Sequence, residues 1–483
     1  MRFSQEFKLE SLLFVAFFAT LPLYSPNLVM FHELGAAEAF MPPFVNTMMV
    51  SVVVLGLASA WLASRRGDVP FVRLSTVVVS TALYIVGFAL FVMCLAMEGF
   101  GSAALAAVAG FLTAAGCVPL CIVWGLYLSM LGLRQALFSL GLMVGVASVV
   151  ELMLSSVDSG IGLMVFGLLL ILGVVLPCWK AATGALAAMA ALPGDEVRSE
   201  AEPELLDAGS TGGALLDRVR RMASVLAMPF IGLLVFAFVM GVRKFVVFDL
   251  FYIEALGGIV AALVVLPLCL IKMKKPLLSF LYQVFLPAFA LALVLLNSFP
   301  FGTWMQWFAA SASYVFFGVI GILALASLCA MAHAREFPSG LIYGLTMASF
   351  MMASFLGISF GAFEWFSDNA GPILLVLCTA YFVFLVLAPL VSAWRQGGSE
   401  ADGCASTSAL TDVQSRCDSA AATHGLSPRE TEILGYLGRG HGIAYVAKTL
   451  VISESTVRTH VKSIYRKLEV SSREELLQLI DEG

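Results

Sequence analysis

The chain is 483 residues long, 60% hydrophobic and 12% charged, with a mean hydropathy of +0.96. Soluble globular domains run at about 45–50% apolar and about 25% charged, so most of this chain cannot cover itself with polar groups, and a bilayer is the solvent its composition calls for. The net charge of −5 averages two unlike parts, and the nine cysteines sit mostly in apolar runs, where a thiol packs as a small hydrophobe rather than building a disulfide framework.

Apolar stretches of about 20 residues, the length that crosses a bilayer, recur twelve times. They run near 11–31, 43–63, 74–97, 104–131, 136–154, 160–180, 223–242, 251–271, 277–297, 303–331, 339–363 and 371–393. The first follows Arg2 and Lys8, lacks a small-residue cleavage site and is interrupted by Pro22 and Pro26; it reads as a spanning helix, not a leader. The connecting segments alternate in charge. Sixteen Lys and Arg residues fall on one side, among them Arg65, Arg66, Arg73, Arg134, Arg218 and Lys272, and only Arg243 and Lys244 on the other. The positive-inside bias then puts the N-terminus in the cytoplasm of a cell-membrane protein, and an even number of spans puts the C-terminus there too.

The spans divide six and six about 181–222, the longest internal loop. Its acidic part (Asp195, Glu196, Glu200, Glu202, Glu204, Asp207) reads as a solvated linker, and its basic end (Arg218, Arg220, Arg221) as an anchor beside anionic lipid. This topology resembles the major facilitator architecture over about residues 1–395. That family carries glycine, aspartate and paired basic residues between its second and third helices, loosely echoed here by Arg65-Arg66-Gly67-Asp68 and Arg73. The resemblance implies an all-α polytopic bundle of two six-helix halves over residues 1–394.

Ionisable residues inside the spans are sparse. Glu151 stands late in the fifth and Glu254 opens the eighth, near Arg243, Lys244 and Asp249 at the outer end of the seventh. Intramembrane charges mark candidate ligand sites. Glu151, Arg243, Lys244 and Glu254 are therefore candidate ligand residues, the two basic ones for an acidic ligand; charges lying at the outer interface are the alternative. Pro22, Pro26, Pro119 and Pro229 mark candidate helix breaks, with tolerated kinks the commoner alternative, and Trp124, Trp304, Trp307 and Trp365 read as interfacial belt or packing residues. Cys117 and Cys121 share a helix face, without the His or carboxylate neighbours a metal site needs. No catalytic constellation, phosphate loop or cofactor motif is apparent, so the chain is not expected to be an enzyme.

Residues 395–423 turn to Gly, Ser, Ala, Asp and Thr without apolar periodicity. They read as a flexible linker, a short helix near 410–421 being the alternative. From 424 to 483 four short helices are legible. Ser427-Pro428-Arg429-Glu430 is a capping box with proline at the first helical position. Ile433, Leu434 and Leu437 follow as an apolar face, and Gly438 and Gly440 end it. A second helix at about 443–450 buries Ile443, Val446, Ala447 and Leu450. Ser453 caps a third, in which Val457, Val461, Ile464 and Leu468 form one buried stripe. Ser455, Thr459, Lys462 and Arg466 lie opposite, with Arg458 on the flank. Ser471 to Glu474 starts a fourth. Residues 418–483 hold eight basic and nine acidic groups, yet 453–467 hold four basic residues against Glu454 alone. Positive charge concentrated on one helix is the footprint of a major-groove reader.

This stretch resembles the LuxR-type helix-turn-helix, from Leu426-Ser427-Pro428-Arg429-Glu430 through Ile452-Ser453-Glu454-Ser455-Thr456-Val457-Arg458-Thr459-His460-Val461-Lys462 to Arg466-Lys467-Leu468. The resemblance implies binding of double-stranded DNA, generally as a homodimer on two-fold sites. The family's groove-facing positions fall on Arg458, Thr459 and Lys462, and its backbone-contacting positions on Thr456, His460 and Lys467, with Arg466 on the same basic face. For His460 a capping or packing role is the alternative. Where the family has Asn-Lys-Glu-Ile-Ala, this chain has Ile443-Ala444-Tyr445-Val446-Ala447, which keeps the apolar pattern and loses the polar contacts. No phospho-acceptor fold of alternating strands and helices is legible in the N-terminal part. The whole chain resembles polytopic LuxR-type regulators of anaerobic actinobacteria, which pair a transporter-like sensor with the DNA reader. That resemblance implies a one-component regulator taking a small-molecule or membrane signal. A transporter with an added regulatory domain and an inert anchor are the alternatives.

Overall fold

Apolar periodicity becomes helix throughout, and no strand occurs among the described residues. This computed structural model describes residues 9–23, 31, 34, 36–97, 101–131, 133–154, 156–190, 231, 233–235, 237–239, 241–242, 250–270, 304–334, 337–365, 369, 372–373, 376, 379–380, 383, 417, 420–421, 424–438, 443, 446, 454–468, 470, 475–476 and 479. The chain divides into two compact units, Met1–Leu385 and Val386–Gly483.

In the first unit the helices are α1 (Leu9–Thr20), α2 (Ala37–Arg66), α3 (Val69–Val72), α4 (Leu74–Ala96), α5 (Ala103–Leu128), α6 (Leu133–Leu154), α7 (Ser159–Ala182), α8 (Ala185–Ala190), α9 (Leu250–Leu270), α10 (Trp304–Ala334) and α11 (Ser339–Gly361). Seven stretches among the described residues are long and apolar enough to cross a membrane: α2, α4, α5, α7, α11, Gln135–Leu154 of α6 and Tyr314–His333 of α10. α9 contributes a shorter apolar helix, Ala255–Pro267. The expected span at 277–297 lies outside the described residues, and those at 223–242 and 371–393 are described only in part.

The first span is shorter than expected. α1 stops at Thr20 because Pro22 lacks an amide hydrogen and restricts the residue before it. The Thr20 carbonyl accepts instead from the Tyr84 hydroxyl at 2.8 Å. Pro119 sits inside the continuous α5, a proline tolerated within the helix. Pro26 and Pro229 lie outside the described residues.

The outward faces of the described helices are apolar. On α2, Val50, Val54, Leu57 and Trp61 form an exposed stripe at helical spacing, and Ile161, Met164, Leu168 and Ile171 do the same on α7. Such contiguous apolar faces are rare on water-soluble monomers and fit insertion in a membrane. Trp304 and Trp365 are exposed, whereas Trp124 is buried against Phe14 and Phe17, its indole N–H donating to the Gly173 carbonyl at 3.2 Å. The side chain of Trp307 lies outside the described residues.

Two main helix pairs join the segments before and after the central loop, α2 on α11 and α6 on α9, with lesser contacts of α6 on α10 and of α5 on α10 and α11. In the twelve-span scheme each pair sets the second helix of one half against the fifth of the other. The α2–α11 crossing is backbone on backbone. A Cβ at Gly344 would lie 2.7 Å from the Gly56 carbonyl oxygen, and a Cβ at Gly56 would lie 2.7 Å from that of Gly344. Beyond this crossing, Asp68 caps α11 from 271 residues away, its carboxylate accepting from the amides of Ser339 (2.8 Å) and Gly340 (2.7 Å). The Tyr343 hydroxyl donates to the Gly125 carbonyl at 3.2 Å, and His333 Nδ1 lies 2.7 Å from the Ser129 carbonyl oxygen. These contacts share an end of the bundle with Arg65 and Arg66.

The long central loop does not begin as loose chain. After Gly184, at φ +73°, α8 buries Leu186 against Val72, Val77 and Val123. Glu151 is buried in the last turn of α6, one turn from the buried Ser148. Arg243 and Lys244 lie outside the described residues, as does the side chain of Glu254 in the first turns of α9.

Candidate nucleic-acid interface

The second unit contains α12 (Pro428–Gly438) and α13 (Glu454–Leu468), with further helical residues at 417, 420–421, 443, 446, 475–476 and 479. Its core is the one the periodicity called for. Ile433, Leu434 and Leu437 of α12 meet Val457, Val461, Ile464 and Leu468 of α13, closed by Val446 and Leu476. Ala447 and Leu450 lie outside the described residues. The core also takes in Cys417, fully buried, with Ala420 packed at its edge. These residues stand in the stretch read as flexible linker, where the described positions 417, 420 and 421 are helical. That helix closes at Gly425, at φ +63°, with the Leu426 amide donating to the Ala421 carbonyl at 2.9 Å. Glycine takes this left-handed position without the Cβ clash any other residue would meet.

The capping box forms as read. The Ser427 amide donates to Glu430 Oε2 at 2.7 Å, and the Glu430 amide to Ser427 Oγ at 3.3 Å. Two of the free N–H groups at the start of α12 are thereby satisfied. With that start fixed, α12 presents its apolar face to α13.

On α13 the buried stripe leaves Arg458, Thr459, Lys462 and Arg466 exposed and His460 half-buried. Arg458, Lys462 and Arg466 follow at intervals of four, a ridge of positive charge about 12 Å long at the 1.5 Å rise of a helix. The side chain of Thr456 lies outside the described residues.

Lys467, the expected backbone contact, has partners inside the unit. Its ammonium donates to Glu430 Oε2 at 2.8 Å and to the Gly425 carbonyl at 3.1 Å, both within the unit. The reason is the capping box itself: Glu430, buried beside the end of α13, holds an anionic oxygen within reach of a long side chain. Nothing local in the sequence signals this pairing, since the partners are 37 residues apart. Lys467 ties the end of the basic helix to the start of α12, which fixes the angle at which the ridge is presented.

The comparisons with known proteins fall on this unit. Residues 424–480 match the family described as bacterial regulatory proteins, luxR family. The C-terminal unit carries a LuxR-type DNA-binding domain. Two curated relatives, each a "Probable transcriptional regulatory protein NarL", come from two strains of Mycobacterium tuberculosis. Each is 46% identical over 48 residues, which is 10% of this chain and 22% of the relative. The likeness is thus confined to the LuxR-type domain, and the match spans about a fifth of the length of these relatives.

Within the LuxR-type domain the Glu430 carboxyl is held down at about 2, first by the Lys467 ammonium, then by the amide of Ser427 and the hydroxyl of Ser463. A carboxyl depressed in the folded state stabilises above its unfolded value of about 4.3 and loses that contribution as the pH falls toward 2. Glu430→Gln should therefore destabilise the domain by about 1 kcal/mol at neutral pH. The difference from wild type should shrink in melts between pH 4.5 and 2.5. A difference independent of pH would rule out the ionised clasp.

Proposed function

We propose that the protein is a membrane-embedded one-component transcriptional regulator: it reads promoter DNA through Arg458, Thr459 and Lys462 and takes its signal through the membrane-spanning unit. The observation that carries this reading is the exposed basic ridge on α13 of a LuxR-type domain, joined in one chain to a unit with seven membrane-length apolar helices. Thr456, His460 and Arg466 complete the DNA-contacting face, and Lys467 acts by positioning α13. The protein acts as a multi-pass cell-membrane protein with both termini cytoplasmic, binds its site as a homodimer and performs no enzymatic step.

An inert anchor needs only one helix. Paired seams between two halves provide what a sensor needs, a packing that a ligand touching both halves can bias through different affinity for two arrangements. The test replaces residues 1–395 with one unrelated spanning helix. Promoter binding should persist and signal-dependent transcription should vanish; a retained response would sink the sensor.

One observation favours a second reading, a transporter with an added regulatory domain. Glu151 is buried inside a membrane-length helix at the seam with α9 and α10, and buried acids of this kind mark ion and substrate paths. If the protein transports, sealed vesicles should accumulate substrate and Glu151→Gln should reduce uptake at least tenfold. Ligand binding without uptake leaves the sensor.

A further inference from the structure

A cavity of about 160 Å³ lies inside the first unit, between segments on both sides of the central loop. Phe18 of α1 and Val144 of α6 line it from the first half; Gly321 and Leu325 of α10 and Thr346 and Phe350 of α11 line it from the second. Thr346 is the one polar side chain among the described lining residues, and its hydroxyl hydrogen is committed to the Ile342 carbonyl at 2.7 Å. None of the described lining residues is charged, and Glu151 is not among them.

The lining dictates what can enter. An ion buried here would lose its hydration without gaining a partner, a cost of several kcal/mol. An apolar cavity of roughly 150 Å³ holds benzene and excludes water. This one matches that size and apolar lining, and is open on one side. Because its walls belong to both halves, an occupant touches both and favours whichever arrangement keeps the cavity closed around it.

We propose that this cavity binds one small uncharged apolar molecule of about single-ring size, and that it is where the membrane-spanning unit takes its signal. The proposal rests on the sensor reading and deepens it by naming the chemical class of the signal. A free solute and a lipid acyl chain share this chemistry, so the test separates them.

Gly321 provides the probe position. A Cβ there meets nothing within 4 Å, whereas at Gly318, one turn away on the same wall, it would lie 2.7 Å from Ala261 Cβ. Gly321→Leu therefore projects bulk into the cavity from a position where the new Cβ has room. The experiment uses the full chain in phospholipid nanodiscs and follows fluorobenzene by ¹⁹F NMR. Saturable binding is expected, competed by toluene but not by benzoate, and weakened at least tenfold by Gly321→Leu. Phe350→Ala, which enlarges the cavity, should shift preference toward a two-ring probe such as fluoronaphthalene. In a parallel arm, native mass spectrometry of detergent-extracted wild type would show a retained phospholipid, lost in Gly321→Leu, if an acyl chain is the occupant.

Equal fluorobenzene binding by wild type and Gly321→Leu, with unchanged lipid retention, would overturn the site; so would competition by benzoate. The sensor reading fails separately, through a response that survives replacement of residues 1–395. Probe binding abolished by Gly321→Leu would uphold the cavity as a binding site even then.

Discussion

Replacing Arg458 and Lys462 together by alanine should lower the affinity of the full chain for its promoter by about 100-fold, because each well-placed groove contact contributes about 1–3 kcal/mol. Both side chains are exposed, and their neighbours Val457 and Val461 are buried in the domain core. The substitutions therefore remove charge without touching the packing, and alanine keeps the helix. Promoter occupancy should fall while the melting temperature of the domain stays put. Titration against salt tells the two residues apart. A lysine on a phosphate lowers the salt slope by about one when removed and weakens all sequences alike; an arginine on a base edge relaxes sequence preference instead. Unchanged occupancy in the double variant would remove α13 from the groove.

Gly344→Leu should destabilise the membrane-spanning unit by about 3 kcal/mol or more, since forcing bulk into a packed seam strains side chains and backbone. The neighbour it meets is the Gly56 carbonyl oxygen, 2.7 Å from the new Cβ, with the Ala60 amide at 3.0 Å. Backbone in the middle of a helix cannot step aside as a flexible side chain can, so α2 and α11 must separate. Thermal melts in detergent should register the loss, and signal-dependent transcription should fall with it while the LuxR-type domain still binds DNA. The same substitution at Gly321, facing open cavity, should leave the melt near wild type. Equal melts for the two variants would mean that α2 and α11 do not cross in this way.

The segments most legible in the sequence were those whose cause is local. The Ser427–Glu430 box, the Val457-Val461-Ile464-Leu468 stripe and the exposed Arg458-Thr459-Lys462 face follow from spacing along one helix, which 3.6 residues per turn converts directly into a face. Long apolar helices follow from hydropathy in the same way. The linker was less legible, because Cys417 and Ala420 lie among small polar residues with no periodicity, and only the wall of α12 gives them something to pack against. Pro119 lies within the continuous α5, the tolerated placement of the two readings its position allowed.

The sequence by itself determined that this chain places most of its length in apolar helices and concentrates positive charge on one short helix near its end. Those properties are sums over neighbouring residues. Only the tertiary structure decided that Lys467 serves Glu430 rather than standing free on the basic face, that Asp68 caps α11, that Glu151 is buried, and that Phe18, Gly321 and Phe350 share one cavity. Each of these is a pairing between residues far apart in the chain. A side chain's type states what partner it needs, and packing alone decides which partner it meets.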